Sequence, residues 1–149
     1  MKDTVSIIFG DSISYGLYDK ESLGWVNRTR LNLNNSHYIF NLAIPGQSSK
    51  DILSRFEIEL KNRYNDQDSF KLIFAFGIKD ALLLTKDNYH INIFKENVLN
   101  IIEISKNNNL NYIKLIDLIN KEELTDGLHP NNIGHKKISE RILNSIYEV

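Results

Sequence analysis

Apolar residues gather into four short runs, at 5–9, 39–44, 71–76 and 112–118. Each is rich in β-branched and aromatic residues and too short for a buried helix, so each predicts a buried strand. Segments of helical period separate them. Leu53, Phe56 and Leu60 share one face, as do Ile91, Phe94, Val98 and Ile101. Ile138, Ile142 and Ile146 mark a C-terminal helix that Asn131 or Asn132 would cap. Strands alternating with helices predict an α/β fold with a parallel sheet covered on both faces, a three-layer α/β/α arrangement. Right-handed crossovers then put the loops that follow the strands on one rim, which brings residues 12, 46, 79 and 129 towards one place. No linker, repeat or low-complexity stretch divides the chain, so residues 1–149 are expected to form one domain.

Composition narrows the chemistry only a little. A formal charge of −1 gives no general pull towards nucleic acid or anionic membrane. The absence of cysteine excludes disulfides and thiolate metal sites. Met1-Lys2-Asp3-Thr4 leads at once into the first strand, with no long apolar stretch for a signal peptide or membrane span, so a cytoplasmic location without stable membrane insertion is expected.

Two motifs at opposite ends carry the candidate chemistry. Gly10-Asp11-Ser12 follows the first apolar run, where open α/β sheets place their reactive groups. Asp126-Gly127-Leu128-His129-Pro130 lies near the C-terminus. A serine hydroxyl is a weak nucleophile that needs a base to take its proton. His129 can supply that base, and Asp126, three residues away, can hold the other ring nitrogen and fix the tautomer. The order Ser, Asp, His is one of the known permutations of a serine-hydrolase triad. The alternative for Ser12 is a hydroxyl capping a turn, and for His129 a structural histidine. Asp11 reads as a hydrogen-bond acceptor within the turn, Asp80 as a loop-holding residue, and His37 and His90 as surface or loop residues.

Phe9-Gly10-Asp11-Ser12-Ile13-Ser14-Tyr15-Gly16 resembles the first sequence block of the GDSL esterases and lipases, the SGNH hydrolases. Asn41-Leu42-Ala43-Ile44-Pro45-Gly46-Gln47-Ser48 resembles the second, and Asp126 to Asn131, continued by Gly134-His135, resembles the last. The resemblance implies a flavodoxin-like sheet, with Ser12 as nucleophile, Asp126 and His129 completing the triad, and the N–H groups of Ser12 and Gly46 in the oxyanion hole. It places His135 as a packing residue on the last helix. The third block departs from the family pattern. Gly77-Ile78-Lys79-Asp80 puts Lys79 where the family has an asparagine that completes the oxyanion hole. An ammonium there could stabilise an oxyanion, block the pocket or swing out to solvent. The family also carries a further strand and helix between the third and last blocks. About one βα unit, on the order of 30 residues, has no counterpart here, which predicts a sheet reduced to four strands in the order 2-1-3-4.

The function implied is hydrolysis of a small acyl ester, without metal or organic cofactor. The alternative from another class is a catalytically silent fold that binds an ester, sugar or protein partner. Acyl and alcohol specificity and oligomeric state are not legible from these residues.

Overall fold

A computed structural model describes residues 2–77, 88–107, 111–114 and 123–147, with 88–91 and 111–114 described by backbone alone. In chain order the elements are β1 (Thr4–Gly10), α1 (Ser12–Tyr15), α2 (Gly24–Leu31), β2 (His37–Asn41), α3 (Ser49–Lys61), β3 (Ser69–Ala75), α4 (Asn88–Asn107), β4 (Asn111–Lys114) and α5 (Asn132–Tyr147). Among the described residues the sheet has four strands in the order β2-β1-β3-β4. All three pairings are parallel, with Ile7 opposite Phe40 and Leu72, and Leu72 opposite Tyr112. The expected order therefore holds. Of the run at 112–118, residues 112–114 lie in β4 and 115–118 fall outside the described residues.

Strand alternation builds two cores. Val5, Ile7 and Phe9 point to one face with Phe70, Leu72 and Phe74, and there they meet Ile52, Phe56 and Leu60 of α3 and Ile101 of α4. Ile8, Ile39, Ile73 and Ala75 point to the other, against Trp25 and Val26 of α2 and Ile138, Ile142 and Ile146 of α5. The face read from the sequence in α5 is this buried stripe; in α3 Phe56 and Leu60 are buried as read, but Ile52 completes the stripe and Leu53 is half-buried beside it. Polar pairs lock the helices to each other: Asn97 Nδ2 donates to Ser49 Oγ at 3.0 Å between α4 and α3, and Thr29 Oγ1 donates to Ser139 Oγ at 3.1 Å between α2 and α5. Asn131 is the residue that caps α5, its Oδ1 accepting from the N–H of Ile133 and Gly134, both at 3.0 Å.

Two expectations change. The second strand begins earlier, at His37, and ends at Asn41. His37 is therefore a strand residue, half-buried and 2.9 Å through Nε2 from Ser6 Oγ on β1. Burial and the neighbouring Lys71 ammonium lower its pKa, which favours the neutral ring. His90 has no side-chain description here.

Candidate active site

The first strand delivers Ser12 through a tight turn. A Cβ on Gly10 would lie 2.5 Å from Ser14 Cβ and 3.2 Å from the Ala75 carbonyl, so only glycine lets the chain turn this closely over β3. Asp11 is buried and caps the short helix α1, its carboxylate accepting from Ile13 N at 3.1 Å. That is the structural part expected of it. Ser12 then sits at the C-terminal end of the central strand, also buried.

The C-terminal motif arrives from the other direction. Thr125 N donates to the His129 carbonyl at 2.7 Å and Asn131 N to the Glu123 carbonyl at 2.7 Å, closing a tight loop just before α5. Glu123 is buried and paired with Lys137 of α5, which anchors the loop on that helix. Within the loop, Asp126 Oδ1 accepts from the backbone N–H of Leu128 at 3.0 Å and of His129 at 2.7 Å. Its other oxygen, Oδ2, lies 2.7 Å from His129 Nδ1. The opposite ring nitrogen, Nε2, lies 2.9 Å from Ser12 Oγ. Residues 117 positions apart are thus in hydrogen-bond contact.

The electrostatics assign the protons. The His129 backbone N–H and then its ring outweigh the opposing effect of desolvation and, with a lesser contribution from the Leu128 N–H, hold the Asp126 carboxyl down at about 2, from an ordinary 3.8. An ionised carboxylate can only accept, so Nδ1 carries a proton and donates it; in the neutral ring this is the tautomer whose other nitrogen can accept. Nε2 is left with a lone pair aimed at the Ser12 hydroxyl. Because the folded pKa is depressed, the stabilisation from Asp126 is complete above 3.8 and is lost as pH falls through about 2. Carboxyl-carbon NMR should show Asp126 titrating near pH 2. In His129→Ala, which keeps the residue's backbone N–H but loses the ring, the midpoint should move part of the way back towards 3.8. An unmoved midpoint would mean that the ring contributes nothing to the carboxylate.

Gly46 lies in an exposed turn beyond β2. The preceding segment stays tied to the rim of β1: Leu42 N donates to the Ile8 carbonyl at 2.9 Å and Ile44 N to the Gly10 carbonyl at 3.2 Å. From α3, Arg55 donates to the Leu42 carbonyl at 2.6 Å and to Gln47 Oε1 at 2.9 Å, clasping the loop on both sides of Gly46. A Ser48–Asp51 capping box then starts α3. The Gly46 N–H donates no hydrogen bond among the described residues. Arg55 was not among the sequence candidates. Lying on the helix after the second block, it carries no local signal of its contact with residues eight and thirteen positions earlier. Lys79 falls outside the described residues.

His135 is fully buried, with Nε2 3.4 Å from the Leu17 carbonyl, in the packing role expected of it. Among the described residues no group of three or more His, Asp or Glu side chains could hold a metal ion, and no helix is long and apolar enough to cross a membrane. A groove of about 820 Å³ lined by Ile58, Leu60, Tyr64 and Ile104 opens where α3 and α4 end, and it includes none of Ser12, Gly46, Asp126 and His129.

No family model matches the chain, and no curated protein is similar to it in sequence. Solved structures do match. The psychrotrophic esterase EstA from Pseudoalteromonas sp., determined with monoethylphosphonate as inhibitor, superposes with a TM-score of 0.67 at 19% identity, over 97% of each chain. TesA superposes with a TM-score of 0.73 at 15% identity, over 97% of this chain and 98% of that one. A lipolytic protein of the G-D-S-L family from Veillonella parvula gives 0.65 at 16% identity, over 98% of this chain and 100% of that one. With a parallel sheet in the order β2-β1-β3-β4, helices on both faces and these neighbours over nearly its whole length, the chain has the fold of the SGNH hydrolases.

Proposed function

We propose that this protein is a serine hydrolase of small carboxylic esters. The observation that carries the reading is the continuous line from Asp126 Oδ2 through the His129 ring to Ser12 Oγ, with contacts of 2.7 and 2.9 Å. Nε2 takes the hydroxyl proton as Oγ forms a bond to the acyl carbon. The resulting tetrahedral oxyanion is received by the N–H groups of Ser12 and Gly46. Collapse breaks the bond to the alcohol oxygen, which takes the proton from Nε2. Water then attacks the acyl carbon as it gives a proton to Nε2, the bond from that carbon to Oγ breaks, Oγ takes the proton back from Nε2 and the acid leaves. Asp126 holds the ring and stabilises its charged form without itself taking the proton. The fold neighbours named as esterases favour this chemistry.

The first test is hydrolysis of p-nitrophenyl acetate and butyrate. Wild-type protein should turn over at least one of them and Ser12→Ala neither; equal rates in the two proteins would end the proposal.

Lys79 is proposed to weaken the oxyanion hole relative to an asparagine at that position. A fixed amide is preorganised, whereas an ammonium on a long stem must lose rotamer freedom and water to act. One oxyanion donor typically contributes about 10²–10³ in turnover. Lys79→Asn should therefore raise kcat on p-nitrophenyl acetate. Lys79→Ala should match or exceed the wild type if the lysine only obstructs, and fall below it if the charge contributes. A large loss of kcat in a folded Lys79→Asn protein would show the ammonium to be a working part of the site.

A further inference from the structure

We propose that Tyr18 is a positioning residue for His129, a role that rests on the reading of Ser12 and His129 as nucleophile and base. The Tyr18 ring lies against the imidazole, centroids 4.8 Å apart and planes tilted by 47°, within the range of favourable aromatic contacts. Among the described residues the imidazole is otherwise held at its two nitrogens, and the Asp126 that holds one of them is exposed. A rotation of the ring about χ2 would break both bonds together. Tyr18 covers a face of the ring and opposes that rotation.

The backbone shows that this placement is held by its surroundings. Tyr18 has φ +63°, a left-handed conformation that a bulky side chain rarely adopts. Both neighbours are anchored. On one side, the Leu17 carbonyl accepts from His135 Nε2, buried at the start of α5. On the other, the buried Asp19 carboxylate is paired with Arg28 of α2 and accepts from Gly24 N at 2.7 Å and Glu21 N at 3.1 Å. The ends of the loop meet: a Cβ on Gly24 would lie 2.8 Å from Gly16 Cα. Glu21 adds a contact to Lys136 of α5 at 3.4 Å. The loop is thus fastened to α2 and to the helix that follows His129, yet the Tyr18 side chain itself remains 56% exposed. A ring that served only to fill the core would be buried. This one is turned outwards, at a conformational cost, onto the imidazole.

The left-handed backbone allows the ring's effect on the reaction to be separated from its effect on folding. Glycine adopts this conformation freely and asparagine tolerates it, so Tyr18→Gly and Tyr18→Asn remove the ring while keeping the loop's geometry. Tyr18→Phe keeps the ring and removes only the hydroxyl. With p-nitrophenyl acetate, Tyr18→Gly and Tyr18→Asn should lower kcat about tenfold or more, with KM within about twofold and a melting temperature no lower than that of the wild type. The rate of Ser12 labelling by a fluorophosphonate should fall in parallel, and Tyr18→Phe should restore both. The inference is overturned if kcat stays within about twofold of wild type in folded Tyr18→Gly and Tyr18→Asn while Ser12→Ala is inactive. It is also overturned if Tyr18→Phe loses as much as Tyr18→Gly, because the hydroxyl would then be the working group. Turnover that survives in Ser12→Ala would instead strike the hydrolase reading itself.

Discussion

Ser12→Ala and His129→Ala should each lower kcat/KM on p-nitrophenyl acetate by about 10⁴–10⁶, and the double variant should be no worse than either alone. In the proposed mechanism the two side chains share one step. Oγ attacks only as Nε2 takes its proton, so without the base the hydroxyl is a poor nucleophile, and without the hydroxyl the base has nothing to deprotonate. Groups acting separately would multiply their losses. Among the described residues Ser12 Oγ makes no other hydrogen bond than this 2.9 Å contact, so Ser12→Ala should leave the melting temperature almost unchanged. Activity left in all three variants would come from the backbone oxyanion donors and substrate binding. Losses that multiply in the double variant would show that Ser12 and His129 do not act in one step.

The largest effect on stability is expected at Arg28. Arg28 and Asp19 are both buried, 6% and 7% exposed, and Arg28 also donates to the Gly24 carbonyl at 2.8 Å and to Glu21. Burial alone would raise the Asp19 pKa. The hydrogen bond from Arg28, and those from the Glu21 and Gly24 amides, outweigh it and hold the carboxyl well below the usual carboxylate range. Arg28→Ala strands that buried carboxylate without its cation, which typically costs about 3–5 kcal/mol. Urea unfolding should show a lower midpoint at unchanged slope. Arg28→Lys keeps a charge but loses the two-pronged fork, and should fall between. An Arg28→Ala midpoint within experimental error of wild type would mean that the pair contributes nothing to folding. Because the same pair anchors the residue next to Tyr18, Arg28→Ala should also lower kcat at temperatures where it remains folded.

What the sequence discloses follows from how local each signal is. β1 and β3 were legible because both faces of each strand are buried, which leaves a nearly unbroken apolar run. The second strand was displaced because its apolar run continues into Leu42, Ala43 and Ile44. These residues still bond to β1 through Leu42 and Ile44, but they already belong to the loop. His37 reads as a surface or loop residue in the sequence because nothing in its neighbourhood reveals the Ser6 hydroxyl across the sheet. α2 left little trace. Trp25 and Val26 are its main buried apolar side chains, Arg28 and Thr29 are buried as well, and Leu23 caps it without a side-chain hydrogen bond. Arg28 reads as a surface charge until Asp19, nine residues earlier, is seen beside it. Ser12, Asp126 and His129 stand out as candidates because their two motifs are specific in combination, and the structure brings all three together. Tyr18 and Arg55 were not found. One depends on a positive φ at a residue that does not favour it, and the other on a loop that returns past the helix.

If Ser12 is an activated nucleophile, a fluorophosphonate should label it, and peptide mass spectrometry then locates the adduct. The serine oxygen displaces fluoride from phosphorus and its proton passes to His129, so the adduct requires the nucleophile and base but no particular ester specificity. One adduct is expected, on Ser12, absent in Ser12→Ala and slowed by orders of magnitude in folded His129→Ala. A folded wild-type protein that stays unlabelled, or one labelled at another residue while Ser12 remains free, would contradict this role of Ser12.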